Sequence, residues 1–151
     1  METNNNNRDY TIQEYEINNV SDVQLEYGSN ELNQITNNII GAAMEVHNEI
    51  GKGFLEAVYK DCLSMEFELK FLNFVREKKF EIFYKGIKIP RYYQADFVVD
   101  DQVVLEIKAQ GTVIDDNVKQ LINYLAASKC KIGLLLNFGE NSLKYKRIIL
   151  T

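Results

Sequence analysis

Lys131 to Phe138 is a nearly continuous apolar run of strand length, and it constrains the fold more than any other segment. An apolar strand that does not alternate must be covered on both faces, so it belongs at the centre of a layered sheet. The preceding segment, residues 116–129, sets Val118, Leu121 and Leu125 at helical spacing, with Ile122 beside them. That helix is long enough for a crossover connection between parallel strands. The chain is therefore expected to be α/β, with a central mixed sheet flanked by helices.

The remaining pattern fills in the layers. From Glu31, the residues Leu32, Ile35, Ile39, Ala43, Val46 and Ile50 recur at three and four, which predicts one stripe of an amphipathic helix ending at Gly51 and Gly53. A second helix follows, with Leu55, Val58, Cys62, Met65 and Leu69 on one face and Glu56, Tyr59, Leu63 and Glu66 beside it. Val75 to Tyr84 reads as a strand closed by a Lys85-Gly86 turn. Tyr92–Val99 and Val103–Ala109 read as a hairpin around Asp100-Asp101. Thr112 to Asp115 resembles a capping box for the next helix. Tyr145 to Leu150 is expected to be a final, edge-like strand. The expected order is α-α-β-β-β-α-β-β.

Charge divides the chain in two. Residues 1–30 hold one basic residue, Arg8, against six acidic ones, whereas residues 31–151 hold sixteen of each. The formal charge of −5 thus sits in a polar leader, and the body is neutral. Residues 1–30 are read as an acidic, partly disordered arm, disordered over residues 1–9 and containing a short strand or docked segment between Tyr10 and Tyr27. A neutral body excludes a protein that coats duplex DNA by charge alone, but it leaves room for a local phosphate-binding groove. Cys62 and Cys130 lack a close Cys or His partner in sequence and read as small buried thiols, which suits a reducing, cytoplasmic setting. No secretory pattern opens the chain and no apolar stretch is long enough to span a bilayer.

One constellation carries chemistry. Asp96 sits in the apolar strand Tyr93–Val99, and Glu106 and Lys108 alternate with Leu105 and Ile107 in the next strand. Alternation puts Val104, Glu106 and Lys108 on one side, and the hairpin returns Asp96 to the neighbourhood of Glu106. Asp96 and Glu106 are hard oxygen ligands suited to one or two magnesium or manganese ions, and the Ile107 carbonyl is a further donor. Such an ion polarises phosphate and acidifies bound water, while Lys108 is placed to offset charge on phosphoryl oxygens. Exposed edge strands also carry charges of this kind. The apolar flanks of Glu106 weigh against that ordinary explanation, because an ionised group in a sheet interior needs a partner.

Several ordered motifs add a resemblance. Gly53-Phe-Leu-Glu-Ala-Val-Tyr59 resembles the signature of the small bacterial GxxExxY family. The likeness continues through Ala42–His47, Gly51–Gly53, Tyr92–Ala109, Gln120–Tyr124, Ile132–Gly139 and Lys146-Arg147. It covers residues 31–151, which are expected to form one nuclease domain of the PD-(D/E)XK, restriction-endonuclease-like type. The resemblance implies metal-dependent hydrolysis of phosphodiesters, with Asp96, Glu106 and Lys108 as the catalytic core and Ala95 standing where the motif has proline. Gln120 and Tyr124 resemble the Gln-x-x-x-Tyr element of the recombination-exonuclease branch, and implied roles are to position DNA or a water. Glu56 and His47 are implied as additional metal ligands, with helix capping the alternative for Glu56 and a polar helix-end contact for His47. Lys146 and Arg147 are candidates to touch a nucleic-acid backbone. DNA is the expected partner and RNA is left open, as are a homodimer and a protein partner engaging the N-terminal arm. The alternative function is a catalytically weak nucleic-acid-binding or interaction module that keeps the nuclease fold.

Overall fold

The run at Lys131–Phe138 becomes strand β5 (Ile132–Asn137), and all six of its residues are buried. In the computed structural model, which describes residues 10–16 and 30–150, β5 has strands on both sides and helices over both faces. The other elements are β1 (Tyr10–Glu16), α1 (Asn30–Ile50), α2 (Glu56–Leu69), β2 (Phe74–Tyr84), β3 (Ile87–Val99), β4 (Val103–Lys108), α3 (Asp115–Ser128) and β6 (Lys144–Leu150). The six strands run in the order β1-β6-β5-β4-β3-β2. Only β4 and β5 pair in parallel, with α3 as the crossover between them; the other pairs are antiparallel.

Two cores follow from strand alternation. Val103, Leu105 and Ile107 of β4 join α1 and α2 residues on one face, together with Leu134 and Leu136 of β5. Val104 and Leu135 turn the other way, to Val118, Leu121, Tyr124 and Leu125 of α3. The expected stripe of α3 is thus the one it buries.

For α2 the outcome differs. Tyr59, Leu63 and Phe67 are buried, whereas Leu55, Met65 and Leu69 are mostly exposed. The expected apolar face gave way to the neighbouring one: docking against α1 and the sheet selected the side where Tyr59, Leu63 and Phe67 fall together. Phe67 packs edge-on against Phe74 and Phe97, with ring centroids 5.4 Å away in each case. Tyr59 stacks on Phe138 at 4.6 Å and donates its hydroxyl proton to the Gly51 carbonyl at 2.6 Å. Gly51 and Gly53 have φ of 68° and 109°, the left-handed backbone that closes α1 and starts the joint. The Tyr59 hydroxyl staples that joint to α2.

Two further expectations are corrected. The start of α3 is capped by Asn117 rather than by a box over Thr112–Asp115: its Oδ1 accepts the Ile114 amide at 3.1 Å. And β6 is not an edge strand, because Tyr10–Glu16 pairs along its full length. The arm therefore contributes a sheet strand. Its remaining expected features, the disordered residues 1–9 and the stretch to Tyr27 past Glu16, lie outside the described residues.

Candidate active site

The β3–β4 turn places Asp100 and Asp101 at φ of 53°, a left-handed pair that short polar side chains tolerate. From there the ladder runs through Val99↔Val103, Val98↔Val104 and Phe97↔Leu105. At the next pair, carboxylates take over from the backbone. The Ile107 amide donates to Asp96 Oδ2 at 2.7 Å, and the Asp96 amide donates to Glu106 Oε1 at 3.3 Å. Each acid is held by the other strand's main chain, side by side where the two strands part.

Electrostatics make this an unusual pair. Glu106 is only 4% exposed, and its carboxyl is pushed up to about 8, first by burial and then by the negative charge of Asp96. The Lys108 ammonium works in the opposite direction. Lys60, from α2, sets its Nζ 3.1 Å from Asp96 Oδ1 and 3.5 Å from Glu77 Oε1. Burial pulls the Lys60 ammonium downward, but Asp96 and Glu77 outweigh it and hold its pKa above the ordinary value. Tyr124 completes the cluster on the α3 side. Burial and then the Glu106 and Asp96 charges raise its hydroxyl, which accepts a hydrogen bond from Gln120 Nε2 at 2.8 Å.

The structure thus brings Asp96, Glu106, Lys108 and Tyr124 together, with Gln120 exposed on the helix turn beside Tyr124. It does not bring His47 or Glu56 to them. His47 is buried at the end of α1, where its Nε2 lies 3.0 Å from the Glu140 carbonyl and its ring stacks on Phe138. Glu56 is exposed in the first turn of α2, favourably placed for the helix dipole. Lys60, one turn further along α2, is the residue that reaches Asp96. Among the described residues no three His, Cys, Asp or Glu side chains form a metal cluster. Two adjacent carboxylates and the Ile107 carbonyl nevertheless fit a hard divalent ion that keeps several waters, as magnesium does. The mutual repulsion of Asp96 and Glu106 is what such an ion would relieve.

Arg147 is a correction on physical grounds. It is fully buried and donates from Nη2 to Asn33 Oδ1 on α1 at 3.1 Å, so it cannot meet a phosphate. Lys146 is half-buried and, by alternation, faces the other side of β6. Sequence reasoning also missed Lys60 and Glu77. The available signal was that Lys60 is four residues beyond Glu56 and so shares its helical face.

Lys60 acts as a resident counter-charge, and a variant tests this. Lys60→Met should lower stability without divalent ions by about 2 kcal/mol and should tighten manganese binding, since the carboxylates lose their competing cation. Thermal melts and calorimetric titration read both effects. Weaker manganese binding in the variant would show that Lys60 supports the ion instead.

A sequence profile described as the PD-(D/E)XK nuclease superfamily matches residues 33–148. Among solved structures, the chain is similar to one described as "Crystal structure of SSO0001", with 18% identity, a TM-score of 0.41, and coverage of 75% of this chain and 77% of that one. No curated protein matches. No described helix is long and apolar enough to cross a membrane.

Proposed function

Because the chain belongs to the PD-(D/E)XK nuclease superfamily, we propose that it hydrolyses DNA phosphodiesters at the paired carboxylates Asp96 and Glu106. The observation that carries this reading is the exchange of amide-to-carboxylate bonds between β3 and β4, which fixes two acids side by side. Asp96, Glu106 and the Ile107 carbonyl would hold magnesium or manganese. The ion, when bound, supplies Lewis acidity toward phosphate and lowers the pKa of water.

The chain's own groups divide the remaining tasks. Lys108, on the Glu106 side of β4, offsets charge developing on the phosphoryl oxygens. Tyr124, oriented by Gln120, presents a hydroxyl beside the carboxylates and orients a water or a phosphate oxygen. Lys60 balances Asp96 until substrate and ion enter. The Gly53–Tyr59 signature supports placement in the GxxExxY group, and the Gln120/Tyr124 pair supports exonucleolytic action.

The test is cleavage of end-labelled single-stranded and duplex DNA with magnesium, with manganese, or with chelator. Wild type should cut only with an ion, and Lys108→Ala should lose about 10²-fold or more in rate. Cleavage in chelator, or an undiminished rate in Lys108→Ala, would remove the assigned roles. A second reading, nucleic-acid binding without turnover, draws on the Lys60–Asp96 ion pair, which already offsets the charge of one carboxylate. Binding with no cleavage under any ion would select it.

A further inference from the structure

β2 and β3 continue well past the sheet body. β4 pairs with β3 only at residues 97–99, whereas β2 and β3 stay paired out to Tyr84↔Ile87. The outer part is therefore a two-stranded ribbon that begins at the candidate active site. Its Phe80↔Tyr93 pair is half-buried and packs toward the α3 core, which anchors one side. The neighbouring pairs, Lys79↔Gln94 and Glu81↔Tyr92, then take the other side. Toward the tip, Ile89, Pro90 and Arg91 of β3 stand against the single Ile82 of β2, an irregularity where a proline needs no ladder partner.

The ribbon concentrates charge. Residues 78–92 hold Lys78, Lys79, Lys85, Lys88 and Arg91 against one acid, Glu81, and all five cations are exposed. Their net charge of +4 stands in a body, residues 31–151, that sums to zero. Rings are interleaved with the cations. Phe83, Tyr84 and Tyr92 are each more than half exposed, at 58%, 65% and 56%. Lys79 Nζ lies 4.8 Å from the Tyr92 ring centroid, and Lys85 Nζ lies 5.5 Å from that of Tyr84. Folding thus leaves these rings in water, beside the cations. Tyr92 and Asp96 are four residues apart on one side of β3, about 13 Å along the strand.

We infer that this ribbon is a binding track for single-stranded nucleic acid, leading the strand to the Asp96/Glu106 pair. The inference rests on the nuclease reading. Lysines spaced along a ribbon match a phosphate backbone, and exposed rings between them stack on bases of any sequence. A cluster made of charge alone would suit a duplex equally; the rings favour unstacked bases.

The test measures binding in chelator, so that turnover plays no part. Fluorescence anisotropy of a labelled oligodeoxythymidylate is compared with that of a duplex, for the full chain and three variants. The triple variant Lys79→Ala/Lys85→Ala/Arg91→Ala should bind the single strand at least about 10-fold more weakly and lower the salt slope by about 2, from roughly 0.7 per phosphate contact. Phe83→Ala/Tyr92→Ala, two exposed rings on one side of the ribbon, should lose about 10-fold or more on the single strand and little on the duplex. Lys131→Ala, an exposed site at the start of β5 outside the ribbon, should change neither. Unchanged affinity in both ribbon variants overturns the track, and equal losses on duplex overturn the single-strand preference. If ribbon variants bind normally while wild type still cleaves DNA with an ion, the track fails and the nuclease stands. If ribbon variants lose binding while wild type never cleaves, the nuclease fails and the binding surface stands.

Discussion

Glu106→Gln should abolish cleavage and yet make the ion-free protein more stable at alkaline pH. The cause is the placement of the carboxyl, buried and beside Asp96, which lifts it to about 8. An acid whose folded pKa lies above its unfolded value is held protonated by the fold. Stability contributed this way is complete below the ordinary carboxylate pKa and is lost as pH rises through about 8. Glutamine keeps the shape and an oxygen for the Asp96 amide but never acquires the charge. At pH 9 it should therefore be the more stable protein by on the order of 2–3 kcal/mol, while the two should converge near pH 4. Manganese should restore wild type at high pH by binding the folded state and should leave the variant unmoved. The loss in cleavage should be about 10³-fold or more, since a charged ligand is removed from the ion. Melting curves from pH 4 to pH 9, with and without manganese, check the first effect and the cleavage assay the second. A glutamine variant that melts below wild type at pH 9 would refute the buried-repulsion account.

Gly139→Ala should be the most destabilising alanine substitution among the described glycines. A Cβ at this position would collide with the backbone N, C and O of Gln110, which cannot swing aside as a side-chain tip can. Asn137 creates the crowding. Fully buried, it accepts the Gln110 and Gly139 amides at 3.1 Å each and donates to the Gln110 carbonyl and Glu140 Oε2 at 2.9 Å each. This knot ties the segment after β4 to the segment after β5, and the Phe138 amide adds a bond to the Lys108 carbonyl at 2.8 Å. The clash should cost about 3 kcal/mol, read as a lowered denaturation midpoint. Because the knot fixes the end of the strand that carries Glu106 and Lys108, cleavage should fall as well, even at temperatures where the variant stays folded. An alanine variant with wild-type stability would mean that the two segments are not held in contact.

The asparagine, phenylalanine and glycine of this knot stand at the end of the Ile132–Gly139 stretch, and spacing gave no reason for them. The reason is a contact between residues 110 and 139, and only the folded chain shows it. The Gly53–Tyr59 signature is similar: its tyrosine staples the α1–α2 joint and stacks on Phe138, while its glutamate lies in the first turn of α2.

By itself, the sequence determined the layers and the pairing of the acids. Periods of two and 3.6 residues are local properties, and they were enough to set β5 at the centre, α3 as crossover, and Glu106 on the face opposite Leu105 and Ile107. The short turn at Asp100-Asp101 made the meeting of Asp96 and Glu106 nearly unavoidable. Tertiary structure alone decided which stripe of α2 is buried, that Lys60 rather than Glu56 or His47 meets Asp96, and that Arg147 lies inside. Those outcomes depend on how elements far apart in the chain dock, and side chains of equal polarity carry no local mark of which neighbour they will find.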